Sequence, residues 1–353
     1  MLILAAGPRS PDEDTIMRRL VAAAALALAL VAGASAAPVE MIVGGTAFRN
    51  TEGERLWLGF RDRLLADTAA NVKPRMLIYG ELGTEEQIVS GLRRGRVHFA
   101  NLSANIATTV VPEVALLYVP YLFDSQAEAD YVLDRHLTPE FEKLFAAKGL
   151  VFISWFEIGF HHVYGRDKPI LLPADARGVR FRVAAGESAR QFARAIGADV
   201  IPLPYADIVP SLQTGLIAAG EQSVSLYARS GIAPEAPHLT LTGHSLGMSV
   251  IVAQKRFWDR LTPAQQRAVR DAFPGIADSR KVIRAEERRD LEQASKLKFQ
   301  VHELSPAQRR QWAEATRGTH AAILRSIGGD ADRLYRVALE GKREYAARSG
   351  AAR

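Results

Sequence analysis

Apolar residues recur along this chain with two periods, one helical and one extended. Four segments mark helix starts: TEEQ (Thr84 to Gln87), SQAE (Ser125 to Glu128), TPAQ (Thr262 to Gln265) and SPAQ (Ser305 to Gln308). Each sets a hydroxyl three positions before Glu or Gln, so the hydroxyl caps a free backbone N–H while the longer side chain reaches back to the cap. Two carry proline at the first helical position, where its missing N–H costs nothing. Between these starts lie short apolar runs of strand length: RMLIY (75–79), VHFA (97–100), LVFISW (150–155), VRFRV (179–183) and MSVIVA (248–253). Most lead through a turn into a helical pattern, which predicts an α/β class with largely parallel sheets. The C-terminal quarter is mainly helical, interrupted by one strand-like run, KFQVHEL. No repeat, low-complexity tract or Pro/Gly-rich linker divides the chain, so two domains would require it to cross between them more than once.

The N-terminal pattern is different. Met17, Arg18 and Arg19 precede the apolar run LVAAAALALALVAG, followed by Ala34, Ser35 and Ala36. A charged start, an apolar run too short to span a bilayer and an A-x-A site read as a secretory signal cut after Ala36. Residues 1–16 add nothing to such a signal, so Met17 is the expected start. The mature protein is then exported and soluble, and periplasmic in a bacterium with two membranes.

Composition narrows this further. A chain of 353 residues, 48% hydrophobic and 24% charged, suffices for a large core split between two domains. The formal charge of +6, from 45 basic and 39 acidic residues, is interleaved rather than blocked, which argues against a nucleic-acid partner. Even RKVIRAEERRDLEQASKLK (280–298) sets its acids three or four residues from its bases, as on a solvated helix. With no cysteine, an exported chain has no disulfide and no thiol for lipid attachment.

One motif suggests catalysis. GHSLG (Gly243 to Gly247) matches G-x-S-x-G, which in many hydrolases sets a nucleophilic serine, here Ser245, on a strained turn. That geometry needs a helix directly afterwards, but MSVIVA is strand-like, so a Gly-rich turn between strands is the expectation and an exported serine hydrolase the alternative. The eight histidines are scattered, and the adjacent His161 and His162 would point to opposite faces of a strand, so no metal site is expected. No phosphate-binding glycine loop is present. In ARGVRFRVAAG (176–186), Val179, Phe181 and Val183 alternate with Arg180 and Arg182. Periodicity leaves two readings open: both arginines in solvent, or one turned into a cleft to grip a carboxylate.

Several further segments occur in a recognisable order: GELGTEEQIVSGLRRGRVHFANLS (80–103), PEVALLYVPYLFDS (112–125), GFHHVYGRDKPI (159–170), GVRFRV (178–183), IPLPYADIVPSLQTGLIAAGEQS (201–223) and LTGHSLG. Over roughly residues 41–345 the chain resembles a TRAP transporter substrate-binding protein of the DctP type. The resemblance implies a two-lobe α/β periplasmic binding protein that closes over a small solute, uses no cofactor or metal, performs no chemistry and delivers its ligand to a membrane permease. It implies one lobe from residues 38–158 plus 248–286 and a second from 159–247 plus 287–353, with GHSLG at a crossing between them.

The resemblance also implies site residues. Arg182 holds the place of the arginine that binds the ligand carboxylate, while Arg180 stands where lysine is common and is expected to be exposed. His161 replaces a second anion-binding arginine, removing a fixed charge, which favours a ligand with one carboxylate. Gln222 replaces an asparagine that bonds the ligand, Glu221 is kept, and Ala218 and Ala219 replace aspartate and glycine. Tyr205 matches an aromatic that packs on the ligand. Asn101 and Ser103 follow the VHFA strand, where pockets of open α/β sheets form.

Overall fold

A computed structural model describes residues 37–184 and 186–351; the expected signal lies outside them. Among these residues nine strands form one sheet: β1 (Val39–Gly44), β2 (Val72–Leu77), β3 (Phe99–Ser103), β4 (Leu150–Gly165), β5 (Arg180–Val183), β6 (Asp199–Pro202), β7 (Ala219–Ser223), β8 (His238–Gln254) and β9 (Gln300–His302). Their order is β2-β1-β3-β8-β4-β7-β5-β6, with β9 beside β8. The sheet is mixed rather than largely parallel. Its central strands β4 and β8, 16 and 17 residues long, run antiparallel to each other, and the outer pairs β1/β3 and β5/β6 are parallel.

The expected helix starts are present, with their caps. Thr262 and Ser305 exchange both capping-box hydrogen bonds with Gln265 and Gln308. The Gln87 side chain accepts from the Thr84 N–H. Ser125 caps the Glu128 N–H, while the Glu128 carboxylate reaches one residue further back, to the N–H of Asp124.

The central strands join separate cores. Phe152, Trp155 and Phe160 of β4 and Leu246, Val250 and Val252 of β8 pack into one apolar core, and further along the same strands Tyr164 and Leu239 pack into another. Val163 enters a third, with Phe181, Phe192 and Trp312. Each large buried side chain of this kind contributes roughly 1.5–3 kcal/mol, so both ends of β4 and β8 are held firmly while polar residues occupy their middle. Bulges interrupt the β4/β8 register between Glu157 and Gly159 and between His161 and Val163; such bulges re-aim the side chains beside them. Near the C-terminus, Ile323, Leu324, Leu334 and Ala338 return to the first core.

Two further sequence expectations are corrected. GHSLG is not a turn: β8 runs through it without a break, so Ser245 lies in mid-strand. The helix Ile276–Glu292 is not merely a solvated face either, since Arg280, Glu286 and Asp290 are buried on it. Arg280 and Arg284 pair with Asp130, Asp134 and Glu157, and Asp290 accepts from Arg229. Ile276 of this helix packs on the first core and Leu291 on the second, so the helix spans both.

Candidate ligand site

Alternation along β5 separates the two arginines. Arg180 is exposed, whereas Arg182 is 5% exposed. The Arg182 guanidinium donates through Nε and Nη2 to one backbone carbonyl, that of Leu203, at 3.1 and 3.0 Å. No carboxylate pairs with it among the described residues. Its cross-strand neighbour is Gly220, and the Tyr164 hydroxyl fills the space where a side chain there would stand, 2.2 Å from an ideal Cβ. Burial pushes the Tyr164 and Tyr205 phenols up, opposed by Arg182 at Tyr164 and by the Ser230 hydroxyl and then Arg182 at Tyr205, and the Tyr164 hydroxyl is buried with no hydrogen-bond partner among the described residues. The Tyr205 ring meets Phe48 edge-on, with centroids 5.4 Å apart. Phe48 itself is 38% exposed.

The other expected residues divide around this point. Gln222 is buried opposite His162, and its Oε1 accepts from the N–H of Ser223 at 3.0 Å. Asn101 and Ser103 lie within β3 rather than beyond it. Asn101 Oδ1 is buried with no hydrogen-bond partner among the described residues. Ser103 is occupied: its hydroxyl donates to Glu85 Oε2 at 2.6 Å, its N–H donates to Glu85 Oε1 at 2.7 Å, and the same hydroxyl caps the short helix that follows.

His161 belongs to a different group. Register and alternation put Arg182, Gln222 and His162 on one face of the sheet and His161, Glu221 and Ser223 on the other. His161 Nδ1 lies 2.9 Å from Glu221 Oε2, and His244 Nε2 lies 3.0 Å from that same oxygen. His244 Nδ1 is 2.8 Å from the Thr242 hydroxyl, and the ring stacks on Phe192 at 3.9 Å. The Tyr118 ring stands edge-on to His161. Burial pushes the Glu221 carboxyl up, but His161 and then His244 more than reverse this and hold it well below the usual carboxylate range. Burial pushes His244 down, partly opposed by its bond to Glu221.

A cavity of about 210 Å³ opens on this face, lined among others by Asn105, Tyr118, Gly186, Ser188, Glu221 and Ile327. A larger one, about 370 Å³, is lined by Trp155, Arg270 and Phe273, away from every residue above, and no buried polar group of this site converges on it. The sequence reading missed His244, Tyr118, Asn105 and Ser188. His244 sits inside GHSLG, a motif read only for its serine.

The bacterial extracellular solute-binding protein family 7 (DctP) model matches residues 46–326. The chain belongs to this family. It is similar to a solute-binding protein of Chromohalobacter salexigens, 27% identical over 224 residues, covering 64% of this chain and 67% of the relative. It is also similar to the ectoine-binding periplasmic protein TeaA of Halomonas elongata, 28% identical over 205 residues, covering 57% of this chain and 59% of that one. Among solved structures, the sugar-acid-binding protein of Advenella mimigardefordensis in complex with galactonate matches with TM-score 0.78 at 23% identity, over 86% of this chain and 99% of that one. The structure of the Halomonas elongata ectoine-binding protein matches with TM-score 0.80 at 20% identity, over 86% and 99%. These likenesses establish the two-lobe α/β fold of the TRAP solute receptors.

The family is one of solute-binding proteins. Ser245, His161 and Glu221 stand in the order of a hydrolase triad, since Ser245 is the register partner of His161. Among the described residues Ser245 Oγ has no hydrogen-bond partner. By its family the protein is a solute-binding protein of a transporter rather than an enzyme. Among the described residues no group of acids and histidines could hold a metal, and no helix is long and apolar enough to cross a membrane.

Proposed function

We propose that this protein captures a small organic acid through Arg182 in the periplasm and delivers it to the membrane permease of a TRAP transporter. The observation that carries the reading is a buried guanidinium satisfied by one backbone carbonyl and by no carboxylate. A buried charge without a counter-charge is costly, and a ligand carboxylate gripped by parallel N–H donors supplies one. Tyr205, Gln222 and Asn101 give the ligand a flat face and uncommitted polar atoms, while Ser103 supports the wall through Glu85. The named ligands of relatives are of this chemical kind: ectoine, 2,3-diketo-L-gulonate, galactonate and succinate.

Within this reading the ligand carries one carboxylate rather than two close together, because the resemblance puts His161 in the place of a second anion-binding arginine, and that imidazole is turned to Glu221 rather than to Arg182. The lobes are 38–158 with 248–286, and 159–247 with 287–353, the closing segment 320–351 reaching back onto the first. A signal cut after Ala36 takes the chain to the periplasm.

Mass spectrometry of small molecules released from purified protein, with a thermal-shift screen of sugar acids, other monocarboxylates and C4-dicarboxylates, tests this. A monocarboxylate should be released or should stabilise the protein most. Greatest stabilisation by C4-dicarboxylates would overturn the charge preference; no acid released and none stabilising would overturn the receptor reading.

A further inference from the structure

We infer that Phe48 closes the mouth of the ligand site, its ring facing that of Tyr205, and that this pair of rings slows the release of the bound acid. The inference rests on the acid-capture reading above and adds to it a residue outside every motif of the sequence.

The contact joins parts of the chain that the sheet holds far apart. Phe48 lies four residues past the end of β1, and Tyr205 three residues past the end of β6. In the order of the sheet, β3, β8, β4, β7 and β5 stand between those two strands. Six strand spacings would separate them by about 29 Å in a flat sheet. The ring centroids are nevertheless 5.4 Å apart. The two outer parts of the sheet are therefore brought together over the strands between them, and the rings meet where they close.

The residues expected to hold the ligand lie at this closure. The backbone of Gly45 runs beside Asn101, since a Cβ at position 45 would stand 3.7 Å from the Asn101 Cβ. The segment from Gly45 to Phe48 thus begins against one expected ligand residue and ends against another, Tyr205. Arg182 donates to the carbonyl of Leu203, two residues before Tyr205. Its charge reaches the Tyr205 phenol, which burial pushes up and which the Ser230 hydroxyl and then Arg182 draw back. Asn101, Arg182, Tyr205 and Phe48 therefore lie around one space.

Phe48 is mounted firmly but takes no part in a core. The Ala47 N–H donates to the Ile78 carbonyl at 2.6 Å, and the Phe48 carbonyl accepts from the Thr51 hydroxyl at 2.6 Å. That hydroxyl also caps the helix Glu52–Ala66. Arg229 donates to the Asn50 carbonyl at 3.4 Å, and the Glu52 N–H donates to Glu286 at 3.0 Å, so the loop is tied to chain beyond Tyr205 as well. Yet the exposed Phe48 side chain belongs to none of the three apolar cores described above, and among the described residues Tyr205 is its aromatic partner. A ring fixed in place, left out of the cores and held against an aromatic of the site is suited to covering a ligand rather than to stabilising the fold.

Stopped-flow fluorescence and titration calorimetry of the mature chain with galactonate, D-glucuronate and succinate give kon, koff and Kd. With whichever acid binds the wild type, Phe48→Ala should raise koff about two- to tenfold, the scale of one lost aromatic contact. Its kon should stay within about twofold of the wild type. Phe48→Trp, which keeps an aromatic face, should release the acid at close to the wild-type rate, and the ligand-free urea midpoint of Phe48→Ala should match that of the wild type. Leu65→Ala trims another exposed apolar side chain, in the last turn of helix Glu52–Ala66, and should leave koff unchanged. An unchanged koff in Phe48→Ala would overturn the mouth role and leave acid capture standing. Equal acceleration in Leu65→Ala would overturn it too. Absence of heat with all three acids in the wild type would overturn acid capture for this class, and the inference with it.

Discussion

Gly247 lies directly under the ring of His161: a Cβ at position 247 would stand 2.7 Å from His161 Nε2 and 2.7 Å from the carbonyl oxygen of Gly159. The two glycines face each other across β4 and β8. The last glycine of GHSLG is therefore there to admit an imidazole, not to bend a nucleophile turn. Replacing it with alanine collides with backbone as well as with the ring, and backbone cannot swing aside. Gly247→Ala should destabilise the fold by about 1–3 kcal/mol, read as a lower urea midpoint, and should disturb the contact between His161 and Glu221.

Arg182 carries the second prediction. With its Nη1 uncommitted and no acid beside it, its charge is available to a ligand in a way that the charge of Arg280, already paired with Asp134, is not. Truncating one partner of a buried charge pair costs about 2–5 kcal/mol, or roughly 30-fold to several thousand-fold in affinity. Arg182→Ala should lose affinity on that scale for the released or best-stabilising acid, and Arg182→Lys, which keeps charge but not the planar fork, should fall between. Unchanged calorimetric affinity in the alanine variant would remove Arg182 from the site.

Local chemistry made part of this architecture legible in the sequence. The boxes at Thr262 and Ser305 are visible because all their partners lie within four residues, and the alternation that exposes Arg180 and buries Arg182 is a property of one short strand. The full length of β4 and β8 was hidden because His161, His162, Thr240, Thr242, His244 and Ser245 break the apolar pattern in their middle, and several of those residues build the polar site. The pairing of Glu221 with His244 was hidden because it joins residues from β7 and β8 that meet only across β4. Helix Ile276–Glu292 misled for a similar reason. Its acids and bases have the spacing of a solvated helix, but Arg280, Arg284 and Asp290 take partners at 130, 134, 157 and 229.

Acid should weaken the ligand-free fold. Burial pushes His244, His98, His302 and His320 below the ordinary histidine value of 6.5. A histidine held low in the folded state favours folding fully above its unfolded value, and that contribution is lost as pH falls through 6.5 and below. Glu221, also held low, adds a loss of the same sign at more acidic pH, beneath about 4.5. Urea midpoints should therefore fall between about pH 7.5 and about pH 5.5, with a shallower slope in His244→Gln. A midpoint that rose on acidification would contradict the neutral assignment of these rings.

The last prediction concerns the helix that spans the first two cores. Arg284 makes four hydrogen bonds of 2.7 Å, two to Asp130 and two to Glu157, and the Glu157 carboxylate is buried. Removing the guanidinium leaves that carboxylate with only Arg280 Nε nearby, at 3.4 Å. Loss of one member of a buried pair costs about 3–5 kcal/mol because the remaining charge is stranded; Arg284→Ala should fall at the lower end, since Arg280 stays. The deficit should depend on pH. Burial already pushes Glu157 up, and without Arg284 it will be pushed further, so the folded variant binds a proton there more readily than its unfolded chain and regains stability as pH falls. Urea unfolding of wild type and variant at about pH 5.5 and about pH 8 should show a smaller difference at the lower pH. An equal difference at both would mean that Glu157 is not the group left stranded.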